Sequence, residues 1–82
     1  MNRSKFDIEN MNTIANEFVV DLIYAVADKY SIKEKDVIEI FDKMKYWRVL
    51  NDTELCCLLA HDGVTSTLKS LEGRINENIS RN

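Results

Sequence analysis

Phe18-Val-Val-Asp-Leu-Ile-Tyr-Ala-Val-Ala-Asp-Lys-Tyr30, followed without a break by Ser31-Ile-Lys-Glu-Lys-Asp-Val37, is the stretch that decides the fold. At about 100° per residue, Phe18, Val19, Leu22, Ile23, Val26 and Tyr30 fall in one broad arc with Ile8 and Ala15 upstream, the pattern of a core-facing amphipathic helix. Working upstream, Asp7 can cap such a helix while Phe6 packs on Met11 as a hydrophobic staple, and Asn12 or Thr13 offers a second start. A first helix is expected from about residue 8–13 to residue 30. Downstream, Ser31 and Glu34 have capping-box spacing, and Val37, Ile40, Phe41 and Met44 share a face behind them, so a second helix should run to about residue 45.

Beyond it, Trp47, Val49 and Leu50 make an apolar connection. Asn51-Asp-Thr-Glu54 is another capping-box arrangement, Leu55, Leu58 and Leu59 share a face up to His61, and Gly63 supplies a left-handed stop. From Val64 the apolar residues Val64, Leu68, Leu71, Ile75 and Ile79 form a narrow stripe at spacings of four, three, four and four, with Gly73 opposite. The chain has no Pro and only two Gly, which leaves few of the breakers that strand-and-turn folds need. An all-α fold is expected: a single compact bundle of about four helices over residues 1–82, with an arm at 1–7 and a frayed tail at 80–82. Phe18, Leu22, Val26, Phe41, Met44, Trp47, Leu55, Leu59, Leu68 and Leu71 are the expected core.

Length and charge bound the function. Eighty-two residues bury only a little over ~60% of the unfolded surface and leave no room for a large catalytic cleft. A net charge of −3 and a pI near 5.0 give no general attraction for phosphate backbones, which disfavours nucleic acid as a partner. No apolar run reaches signal-peptide or membrane-spanning length, and adjacent Cys56 and Cys57 are badly placed for a mutual disulfide. A cytoplasmic protein with free thiols is the expectation.

Four groups of residues carry possible chemistry. Glu17, Asp21, Tyr24 and Asp28 line up opposite the first helix's apolar arc, where a carboxylate stripe with one tyrosine can dock on a basic protein surface or remain a solvated face. Lys43, Lys45, Tyr46, Trp47 and Arg48 combine charge with aromatic rings, the chemistry of phosphate contact and base stacking; the plainer reading is a core tryptophan and a charge complement at a helix end. The local charge there is +3 over residues 43–50, against −4 over 1–42 and −2 over 51–82. Glu54, Cys57 and His61 align on one helix face as a thiol–imidazole–carboxylate set, but no Gly-rich loop supplies an oxyanion hole, and a packed cysteine beside a hydrogen-bonded histidine accounts for them as well. One His and two Cys fall short of a four-ligand zinc pattern, so no metal, cofactor or catalytic residue is assigned. The stripe Val64, Leu68, Leu71, Ile75 and Ile79 either covers the core or forms a homodimer seam.

The order of Phe18 to Tyr30, the Ser31-Ile-Lys-Glu-Lys-Asp-Val37 segment leading to Phe41, and Leu59-Ala-His61 with Gly63 before a final Ile-bearing helix resembles a domain-of-unknown-function family of short bacterial helical proteins. The likeness covers roughly residues 14–79. This chain departs from the family pattern in having Cys57 where an acidic residue is expected, Ala60 for a Leu, and a His-to-Gly spacing one residue short. Members are often encoded beside ADP-ribosyltransferase-like toxins, so the resemblance implies an accessory or antitoxin-like role and carries over only His61 and Gly63. The expectation is a non-enzymatic module that binds another protein, probed through Glu17, Asp21, Tyr24 and Asp28 or through Lys43, Lys45, Tyr46 and Arg48. A phage or mobile-element inhibitor is a variant of that reading, and a small nucleic-acid-binding module using the 43–48 segment is the alternative.

Overall fold

The computed structural model describes the backbone of residues 5–80 and the side chains of residues 11–79. Regular structure among them is entirely α-helical: α1 (Lys5–Tyr30), α2 (Glu34–Lys43), α3 (Trp47–Leu50), α4 (Thr53–Asp62) and α5 (Val64–Ser80). The fold is therefore all-α, with one helix more than expected because the apolar connection at Trp47, Val49 and Leu50 closes into a single turn. α1 already runs at Lys5, so Asp7 lies within the helix rather than capping it, and the expected arm is helical from residue 5. The Phe6 staple, and the rest of the arm and tail, lie outside the described residues.

α1 is the spine. Its 26 residues span about 39 Å at 1.5 Å per residue, most of the molecule's 46 Å length, while the other two dimensions are 20 Å. α2 folds back antiparallel against its C-terminal half. α4 runs beside the N-terminal half in the same direction as α1: Thr53 Oγ1 donates to Asn12 Oδ1 at 3.0 Å, and Cys56 Sγ meets the Ala15 carbonyl at 3.6 Å. α5 continues that direction towards the far end, where Lys29 Nζ and Glu72 Oε1 pair at 2.9 Å.

The core forms where these elements meet. Leu22, Val26, Val37, Phe41, Cys56 and Ile75 are fully buried. Of the expected core, Phe18, Leu22, Val26, Phe41 and Leu71 are buried, and Met44, Trp47, Leu59 and Leu68 pack half-buried against them. Leu55 is the correction. It is 45% exposed, and its neighbour Leu58 is 64% exposed. The face of α4 turned to α1 carries the small residues Thr53, Cys56, Cys57 and Ala60 at offsets of three, four and seven. Small side chains let the two backbones approach closely enough for both thiols to reach α1 carbonyls, Cys56 at Ala15 and Cys57 at Met11 (3.2 Å). Leu55 and Leu58 are left on the outside.

Chain reversals follow one rule twice. The N–H of Ile32 donates to the Ala27 carbonyl (3.0 Å) and that of Ser31 to Asp28 (3.4 Å), with Ser31 at φ 54°. This is a Schellman stop with Ser31 in the left-handed region and Ile32 folded back towards Ala27. Ser31 therefore ends α1 rather than capping α2, whose preceding residue Lys33 makes no side-chain cap; Glu34 and Asp36 in the first turn offset the helix dipole instead. After α2, Tyr46 N–H donates to the Phe41 carbonyl (2.9 Å) and Lys45 N–H to Asp42 (3.0 Å), with Lys45 at φ 59°. The apolar contact that accompanies such a stop is here Tyr46 on Phe41, ring centroids 5.4 Å apart.

α4 begins one residue later than its capping box suggests. Asp52, not Asn51, accepts from the N–H groups of Glu54 (3.0 Å) and Leu55 (3.2 Å). It ends at Gly63, whose φ 92° and ψ 157° lie outside the expected left-handed helical region in a zone essentially reserved for glycine. Gly63 donates to the Leu59 carbonyl and accepts from Thr67 N–H, so one residue both closes α4 and opens α5. On α5, Leu71 and Ile75 are buried and Val64, Leu68 and Ile79 pack on the core. That stripe is consumed within the chain and is not a free dimer seam.

Candidate functional site

The clean apolar arc of α1 fixes what its opposite face presents. Glu17, Asp21 and Asp28 are all exposed there, as read from sequence. Tyr24, expected on this face, is 57% exposed; what sequence reading missed is its apolar neighbour Val20, 50% exposed one turn away among the three carboxylates. Shallow depressions flank this ridge, one bounded by Asn16, Glu17, Val20 and Asp21, the other by Tyr24, Ala27, Asp28, Ser31, Ile32 and Glu34. The signal was present in the sequence as Val20, which falls outside the apolar arc.

The basic segment is divided by the fold. Lys43, Lys45 and Arg48 are exposed, but Tyr46 is buried and leaves the candidate surface, because the α2 stop requires its ring on Phe41. Trp47 is also engaged: its ring meets Phe41 edge-on at 5.8 Å and its Nε1 donates to the Ile38 carbonyl at 3.3 Å. Neither ring is presented as a stacking platform.

Glu54, Cys57 and His61 do share one side of α4, where they line a shallow depression with Met11 and Leu58. The Cys57 thiol donates to the Met11 carbonyl rather than to an imidazole, and His61 is exposed. The packed thiol of the pair is Cys56, fully buried, and burial pushes its pKa up, with the neighbouring Cys57 adding to the shift. Among the described residues no cluster of His, Cys, Asp and Glu is placed to hold a metal ion. A second depression lies further along α1, bounded by Ile14, Glu17, Phe18 and Asp21 on that helix, by Ala60 on α4 and by Val64 at the start of α5.

No family model, curated protein or solved structure matches this chain. The resemblance described above thus stands on its quoted residues alone, and the site is read from its own geometry. Among the described residues no helix is long and apolar enough to cross a membrane.

Proposed function

We propose that this chain is a non-enzymatic protein-binding module acting in the cytoplasm, with the outward face of α1 as its contact surface and a basic protein surface as its partner. The observation that carries the reading is the placement of Val20 and Tyr24, each at least half exposed, among Glu17, Asp21 and Asp28. An apolar centre bordered by like charges gives a partner both things an interface needs: area to remove from water, and a field that orients approach. The carboxylates steer a Lys/Arg-rich surface into register, and the valine and tyrosine then lose water against it. An antitoxin-like or accessory role, which the resemblance implies, and inhibition of a host protein by a phage-borne or mobile-element copy are both versions of this binding.

The nucleic-acid reading is weaker. With Tyr46 and Trp47 packed on Phe41, the 43–48 segment offers three cations without stacking, on a chain of net charge −3. Pull-down from native lysate with the wild type and with Glu17→Lys/Asp21→Lys, beside a gel shift with labelled RNA and DNA, separates the two. The charge reversal should lose the partner while leaving the helical signal intact, since exposed charges contribute only ~0–1 kcal/mol to stability. Equal recovery by both proteins, or tight nucleic-acid binding that Lys43→Ala/Lys45→Ala abolishes, rejects the proposal.

A further inference from the structure

Two depressions lie in succession along α1, one against α4 and the other where α4 gives way to α5, and together they offer a groove. From Met11 to Asp21 on α1 and from Glu54 to Val64 on the other wall, each side advances ten residues in the same direction. On α1, which is unbroken, ten residues are about 15 Å, nearly three turns, while the other wall is interrupted at Gly63. The floor is apolar, made by Met11, Ile14, Cys57, Ala60 and Val64, and Leu58 stands over it 64% exposed, the most exposed large apolar side chain among the described residues. The rim is acidic. Glu17, Asp21 and Glu54 line the groove, and no Lys or Arg does. Leucine on the outside of a helix whose small residues face inward is an arrangement that core packing does not require.

From this we infer that the α1/α4 groove seats a short amphipathic helix of a partner protein, its apolar stripe on Leu58 and the groove floor and its flanking Lys or Arg residues on Glu17, Asp21 and Glu54. The inference rests on the protein-binding reading and specifies its partner element. Occupant length follows from the groove: about three turns. Occupant charge follows from the rim, because an acidic helix would set like charges against one another at short range, and specificity between two otherwise equal amphipathic helices comes from that repulsion. Binding by helix in groove needs apolar anchors at i, i+3, i+4 and i+7, which a stripe of leucines supplies.

The test uses three synthetic peptides of about 14 residues. One carries leucines at that spacing with lysine elsewhere, the second replaces lysine with glutamate, and the third scrambles the first so that no stripe remains. Affinity is read by anisotropy, and occupancy of the groove by alkylation of Cys57, which lines the floor and is half-buried while Cys56 is fully buried. The lysine stripe peptide should bind saturably, slow Cys57 alkylation, weaken from about 50 to about 500 mM salt as screening shortens the reach of the rim charges, and bind about tenfold less tightly to Leu58→Asp, a loss of about 1.4 kcal/mol. Ile38→Asp, an exposed position on α2 that lines neither depression, should leave peptide binding unchanged. Circular dichroism confirms that each variant is folded. Equal affinity for Leu58→Asp, equal affinity for the glutamate or scrambled peptide, or binding without protection of Cys57 overturns the inference. So does a wild-type dimer in light scattering that Leu58→Asp dissociates, which would make a second copy the occupant. If Glu17→Lys/Asp21→Lys loses the cellular partner while Leu58→Asp retains it, the acidic-face reading stands and the groove alone is rejected; if neither loses it, both fall.

Discussion

Replacing Ser31 and Lys45 by glycine should stabilise the protein, and the size of the effect can be worked from the two chain reversals. Both residues hold φ near +55° (54° and 59°), where the Cβ of any L-residue crowds the following carbonyl oxygen. That crowding costs roughly 1–2 kcal/mol per residue. Glycine removes it but adds freedom to the unfolded chain worth about 0.5–1 kcal/mol. The difference is a net stabilisation of about 0–1.5 kcal/mol at each site, centred on about 0.75 kcal/mol. Both side chains are exposed, and the hydrogen bonds that define each stop are made by backbone N–H groups, which glycine retains. No packing contact is exchanged for the relief of strain. The ten residues of α2 separate the two positions by about 15 Å, far enough for the effects to add.

For a chain of this size each kcal/mol is worth about 4–8 °C in Tm, so the double variant, at a central value of about 1.5 kcal/mol, should melt roughly 6–12 °C above the wild type. Urea unfolding is the better assay, because the midpoint should rise while the slope m stays constant, as it must if only strain has changed. Alanine is the internal control. It keeps the Cβ and therefore the crowding, so Ser31→Ala and Lys45→Ala should sit within about 0.5 kcal/mol of the wild type. Glycine variants no more stable than the alanine variants would refute this, because the left-handed conformation would then be no cost to the fold.

Other predictions follow the same packing. Leu22→Ala should cost ~2–5 kcal/mol, whereas Leu58→Ala should lie within about 0.5 kcal/mol of the wild type; comparable losses in urea melts would mean that α4 is turned the other way. Gly63→Ala should destabilise by about 1–3 kcal/mol through backbone conformation alone, since open space surrounds the position where a Cβ would be added, and a neutral result in thermal melts would show that the α4–α5 joint relaxes freely. Burial raises the Cys56 thiol and the Tyr46 phenol. The folded chain therefore holds these protons at pH values where the unfolded chain has released them, so stability is complete below the ordinary thiol range of about 8.5 and declines as pH rises through it and then through about 10. The urea midpoint should fall between about pH 8 and about pH 10, and Cys56→Ala should flatten the first part of that fall.

The sequence was legible where one direction on a helix is unambiguous. α1 has a clean apolar arc, so both its buried set and the exposure of Glu17, Asp21, Tyr24 and Asp28 could be read from spacing alone. α4 has no such arc: Leu55-Cys-Cys-Leu-Leu-Ala60 is apolar in nearly every direction, and hydrophobicity then points to Leu55 beside Leu59 as core, of which only Leu59 packs there. Close approach between backbones decided otherwise, and the face with Thr53, Cys56, Cys57 and Ala60 turned inward. A similar competition explains Ser31. Its spacing to Glu34 satisfies the capping-box pattern, but a chain with two glycines has none to spare for ending α1, and the reversal into α2 takes the residue at hand. Tyr46 was misread for the same reason, because the backbone hydrogen bonds that stop α2 carry its ring onto Phe41. In each case local pattern named a role that a tertiary requirement one turn away reassigned. The acidic face and the α1/α4 groove reflect the two halves of this: the carboxylates were readable because nothing competes for a solvated face, while Leu58 became visible only once the small side of α4 was seen to be its core.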